Sequence, residues 1–146
     1  MKDMPVAQKW VDFFTGIYDL YSQSGIHPAM KQFREHAFAE SDRQVMVCAP
    51  KNRANATYWF EHELRRYPAV DLDLDALEAH ADRIVLAAGR DGRGYPAHDV
   101  SVELGKKLGR DVVELPGGHV GYVARPAEFA REFVQSLART GHGPKA

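Results

Sequence analysis

A short continuous apolar run, RIVLAA (83–88), and a short β-branched run, DVVEL (111–115), bracket one helix-length segment and constrain the fold more than any other feature of the chain. A continuous apolar run like the first is what a parallel strand covered on both faces requires. Between them Val100, Leu104 and Leu108 recur at four-residue steps and mark one helix face, and Gly109 supplies a stop. After the second run a helix opens with Pro126 in its first turn and carries Phe129, Phe133, Val134 and Leu137 as its expected buried face. Strand, helix, strand and helix make a βαβ unit with a closing helix, which sets the fold class as α/β. Its two strands run parallel, so the loops that follow them come to one edge of the sheet.

The first half has a different character. Trp10, Phe13, Phe14, Ile17 and Leu20 recur at three- and four-residue steps and predict a helix from Pro5 to about Tyr21. A second helix follows Pro28 through Met30, Phe33 and Phe38, and a third carries Ala56, Trp59, Phe60, Leu64 and Tyr67 before Pro68 stops it. Asp75 and Glu78 have capping-box spacing at the start of a short helix around Leu77. The run Val45 to Cys48 is open between strand, for its β-branching, and helix, for its neighbours. Three segments result: helical residues 1–80, a βαβα unit over 81–139, and a flexible tail over 140–146.

Composition removes several classes of function. A formal net charge of -1 gives no electrostatic reason to expect nucleic acid or an anionic membrane as partner. The apolar run from Ile84 to Ala88 is far too short to span a bilayer, and MKDMPVAQKW is no signal peptide. One cysteine, Cys48, excludes an internal disulfide framework and fits a reducing compartment, so the cytoplasm is the expected location. Spacing offers no metal site, because Phe-Glu-His-Glu-Leu (60–64) lacks the second histidine of a zincin helix. Without a phosphate loop or dinucleotide fingerprint, no cofactor is expected.

Chemistry concentrates in the loops after the two strands. Asp91 lies just past the first run, and His119 sits among glycines in LPGGHVGY (115–122), just past the second. Paired strands lie about 4.8 Å apart, or about twice that across one intervening strand, so a carboxylate and an imidazole can meet above the edge. On spacing alone, His119 reads as a histidine in a tight surface turn ahead of a catalytic base, and Asp91, before Gly92, is open between a turn aspartate and a candidate acid, with Asp99 as the second candidate. No serine follows a strand between glycines, and Cys48, flanked by apolar residues, reads as core.

The segments RIVLAAGRDGRGYPAH, VELGKKLGRDVVELPGGHVGY and RPAEFAREFVQSLAR resemble the C-terminal part of the α/β-hydrolase fold. The helical first half, with NATYWFEHELRRYP, looks like the cap of that family and the approach to its last core strands. The resemblance implies Asp91 as triad acid, His119 as base, and hydrolysis of an ester or related small-molecule bond. It also implies an apolar pocket under the cap, for which Trp59, Phe60 and Tyr122 are the candidate substrate-binding residues; ordinary helix packing is the alternative for the first two. No G-x-S-x-G occurs, and the chain reads as beginning at or near the cap. The expectation is therefore a chain inert by itself, whose nucleophile comes from a partner or a separate N-terminal half. Two strands make a poor independent sheet, which further predicts a homo-oligomer. The alternative is a non-enzymatic domain that binds a small molecule or another protein.

Overall fold

The computed structural model describes residues 5–46, 53–66, 68 and 70–141. It is mostly helical with one small parallel sheet, a mixed α/β arrangement. Helix α1 (Pro5–Ser24) packs along α2 (Ile26–Ala37), as their aromatic spacing predicts. Their seam holds the main core, where Ile17, Ala29, Phe60 and Leu64 are buried with Phe13, Phe14, Tyr18, Phe33 and Trp59 packed around them. Tyr21 stacks on Phe60 with ring centroids 4.5 Å apart, and Phe33 lies 4.7 Å from Trp59. Such pairs contribute about 0.5–1.5 kcal/mol each beyond the area they bury.

Short elements follow. Helix α3 spans Glu40–Met46, so Val45 and Met46 are helical, while Val47 and Cys48 lie outside the described residues. Helix α4 (Arg53–Tyr58) passes into a π-helical turn, Trp59–Glu63, where one helix was expected. Phe60 and Leu64, both about 1% exposed, lie at this widened turn and anchor it in the core. Helix α5 (Leu74–Glu78) is capped by Asp73, whose carboxylate accepts from the Ala76 N–H at 2.9 Å. That corrects the cap expected from Asp75, which lies inside the helix and favours its positive end by charge alone.

Strand β1 (Leu86–Gly89) pairs in parallel with β2 (Val112–Leu115), with Leu86 opposite Val112 and Gly89 opposite Leu115. The first strand is shifted from the expected 83–88, because Ala81–Arg83 forms a single 3-10 turn before it. Between the strands, α6 (Pro96–Leu108) begins with proline and ends at Gly109, which takes the left-handed cap at φ 59°. Gly105 brings α6 close to the sheet: a Cβ there would lie 3.2 Å from Val112 and 3.5 Å from Leu86. The first strand was expected to be covered on both faces, yet β1 is half-buried and Ala87 is exposed. With two strands among the described residues, α6 is the helix that covers β1 broadly, and helix α8 (Pro126–Arg139) reaches β2.

The apolar stripe of α8 is the clearest departure. None of its residues is buried, and Phe133 and Val134 are 40% and 51% exposed. Its partner surface among the described residues is the short helix α7 (Gly121–Ala124) and β2, too small to cover the stripe. The two halves of the chain nevertheless pack together, α1 and α5 on α6 and α3 on α7. Of the tail expected over 140–146, residues 142–146 lie outside the described residues.

Candidate functional site

Asp91 stands in a 3-10 turn (Arg90–Gly92) directly after β1, and His119 in the loop directly after β2. The backbone joins the two loops, for the Asp91 N–H donates to the Gly117 carbonyl at 3.0 Å. Glycine is required where they touch. A Cβ on Gly89 would overlap the carbonyl oxygens of Gly117 and Gly118, so only glycine lets the end of β1 approach the second loop this closely. The parallel sheet and its glycines thus bring the expected acid and base to one edge.

Their side chains have separate partners. Asp91 Oδ2 accepts from Ser41 Oγ at 2.9 Å and from Arg125 Nη2 at 3.2 Å. Among the described residues its Oδ1 makes no hydrogen bond, and neither does the imidazole of His119. The His119 ring is exposed and lies 5.8 Å from the ring of Phe38. Its main chain is firmly held: the N–H groups of His119 and Val120 donate to Asp42 Oδ2 and Oδ1, each at 2.9 Å. Asp42 is fully buried in α3, and these two bonds offset the loss of water around its charge.

Two cavities meet at His119. The larger, about 400 Å³, is apolar and lies between the helical half and α6; Trp10, Phe14, Phe33, Phe38 and Val100 line it with His119. The Trp10 indole N–H is buried with no acceptor among the described residues. The smaller, about 210 Å³, is bordered by Gly89, Tyr95, His98, Leu115, Tyr122 and His119. Tyr122 is 57% exposed there and meets Phe129 edge-on at 6.1 Å. Trp59 and Phe60 line neither cavity and belong to the α1–α2 core.

Asp99, the second candidate acid, accepts from the Gly94 N–H at 3.0 Å and fastens the GRDGRG loop to the start of α6. Next to it, Glu114 on β2 accepts from Arg93 Nε at 2.8 Å and faces His98 Nε2 at 3.2 Å. Hydrogen bonds from Arg93 first, then His98, hold the Glu114 carboxyl down at about 2. Arg90 pairs with Glu132 of α8 and donates to the Glu114 carbonyl at 3.2 Å, tying the Asp91 turn to the sheet and the last helix.

Ser41, Asp42, Arg125 and the cavity-lining Trp10, Phe14, Phe33 and Phe38 went unassigned in the sequence. A serine and an aspartate in a polar break carry no periodic signal, and their partners lie 50 and 77 residues away. Helical spacing does flag the aromatic residues, but it does not separate a ring facing a core from one facing a cavity.

Among the described residues no helix is long and apolar enough to cross a membrane, and no cluster of three or more histidine, cysteine, aspartate and glutamate side chains is placed to hold a metal ion. No protein-family model matches the chain.

Proposed function

We propose that this chain carries the acid and base of an α/β-hydrolase-type relay, with β1–α6–β2–α8 as the C-terminal part of such a fold and the preceding helices as its cap. One observation carries the reading: Asp91 and His119 follow the C-terminal ends of neighbouring parallel strands, with their loops bonded at 3.0 Å and His119 at the wall of an apolar cavity. In this reading His119 accepts the proton of a nucleophile and returns it to the leaving group. Asp91 orients the imidazole and stabilises its charged form. The substrate is a small ester or related molecule whose apolar part fills the cavity. The nucleophile and oxyanion donors come from a partner, so the chain alone is inert, and no metal or cofactor takes part.

Assembly belongs to the same proposal. The exposed stripe on α8 and the half-buried β1 favour a homo-oligomer or association with a separate N-terminal half, in the cytoplasm. A second reading, a small-molecule-binding domain without turnover, is favoured by the size of the larger cavity and by the unsatisfied donor of Trp10.

A p-nitrophenyl ester assay on the chain, alone and with candidate partners, separates the readings. Turnover that His119→Ala abolishes supports the relay, whereas turnover indifferent to that substitution refutes it. Thermal stabilisation by apolar carbonyl compounds without any turnover supports the binding domain.

A further inference from the structure

Building on the reading of Asp91 and His119 as acid and base, we propose that three consecutive residues of α3, Ser41, Asp42 and Arg43, are the positioning device for that pair. Each grips a different part of the site. Ser41 donates to Asp91 Oδ2 at 2.9 Å. Asp42 receives the N–H groups of His119 and Val120 at 2.9 Å each. Arg43 Nη1 donates to the carbonyls of Glu35 at 2.7 Å and Phe38 at 3.1 Å, fastening α3 to the end of α2.

The chemistry of each contact fits positioning better than general stability. Asp42 is the one charged side chain fully buried among the described residues, and it spends both oxygens on the main chain of the His119 loop rather than on a basic side chain. Bonds from two successive N–H groups to one carboxylate fix the direction of the peptide planes, and so the direction in which His119 leaves the backbone. Gly118 is shaped to this contact, for a Cβ there would overlap the Asp42 carboxylate. On the acid side, Ser41 and Arg125 occupy Oδ2 of Asp91 and leave Oδ1 as the acceptor for an imidazole N–H. Arg43 completes the frame, because Phe38, whose carbonyl it holds, presents its ring to the His119 ring. The helical half thereby sets the geometry of both loops through one short helix.

The test is amide hydrogen exchange and histidine-ring NMR on the full chain, comparing wild type with Asp42→Ala, Asp42→Asn and Ser41→Ala. Asp42→Ala is expected to speed exchange at His119 and Val120 by about tenfold to a hundredfold, with α1 and α8 amides unchanged. Asp42→Asn keeps one acceptor oxygen and is expected to deprotect one of the two amides, which preserves the test if the alanine variant does not fold. In both, the His119 ring resonances move while those of His27, His36 and His62 stay. Ser41→Ala moves the Asp91 carboxyl resonance and leaves the His119 amide protected. Uniform loss of protection along the chain, or unmoved His119 ring signals in Asp42→Asn, overturns the proposal. These readouts do not depend on turnover: the expected pattern in a chain that stays inert even with a nucleophile-bearing partner defeats the relay reading alone. Ester turnover lost in His119→Ala but intact in Asp42→Asn defeats the positioning role alone.

Discussion

His98 and Glu114 meet across the α6–β2 interface, imidazole Nε2 to carboxylate Oε1 at 3.2 Å, and Arg93 binds the same carboxylate. A carboxylate on β2 is thus satisfied by a helix on one hand and the GRDGRG loop on the other. Its ionised form belongs to the folded state.

Acid stability should report this contact. Glu114 is held at about 2 in the folded chain against an ordinary 4.5. A depressed carboxyl contributes stability that is fully present above the unfolded value and is lost as pH falls through the folded one. Urea midpoints should therefore decline between pH 4.5 and about 2. Glu114→Gln should lower the midpoint at neutral pH and flatten that decline. An equal decline in the variant would assign the acid limb to other groups.

Two glycines should respond in opposite directions to alanine. Gly16 lies within α1 with no atom within 4 Å of an added Cβ, so Gly16→Ala should stabilise the chain by about 0.5–1 kcal/mol. At Gly118 the added carbon meets a buried carboxylate, and relief means giving up hydrogen bonds to it. Gly118→Ala should cost about 1–3 kcal/mol. Equilibrium urea unfolding of both variants checks the contrast, and equal effects would contradict it.

Removing the Phe60 ring should be the most damaging of these changes. It is 1% exposed, stacks on Tyr21 and sits at the π-helical turn. Phe60→Ala should cost about 3–5 kcal/mol. Retention of a native near-ultraviolet spectrum with an unchanged unfolding midpoint would place the core elsewhere.

The stripe on α8 gives a prediction in solution. Phe133 and Val134, continued by Tyr122 and Val123 at 57% and 53% exposure, form an uncovered apolar surface. The chain should sediment as an oligomer at micromolar concentration, and Phe133→Lys should shift it toward monomer. A compact wild-type monomer under those conditions would remove the stripe as an interface.

The sequence was most legible where one segment decides its own fate. The aromatic steps of α1, the proline at the head of α8, the stop at Gly109 and the order of two parallel strands all follow from local pattern. It misled where neighbours decide. The periodicity of α8 is truly helical, but the surface that α7 and β2 offer it leaves Phe133 and Val134 of its stripe exposed. The capping-box spacing at Asp75 was real too, yet Asp73 has the backbone angles of a cap. At the site, the loops carrying Asp91 and His119 were readable from glycine placement after strands. The residues that hold them were not, since Ser41 and Asp42 act across gaps that no periodicity spans.

The contacts of α3 also differ in how much chain they must gather. Arg43 reaches Phe38 five residues back, while Asp42 reaches His119 across 77. Closing a loop costs more entropy the longer it is, and distant pairings slow the approach to the native state. During folding, α3 can therefore join α2 early, whereas Asp42 meets its loop only after β1, α6 and β2 have come together. A nascent chain would acquire its helical scaffold first and the paired loops last, so a defect in the sheet would release the loops of Asp91 and His119 before it unfolded the helices.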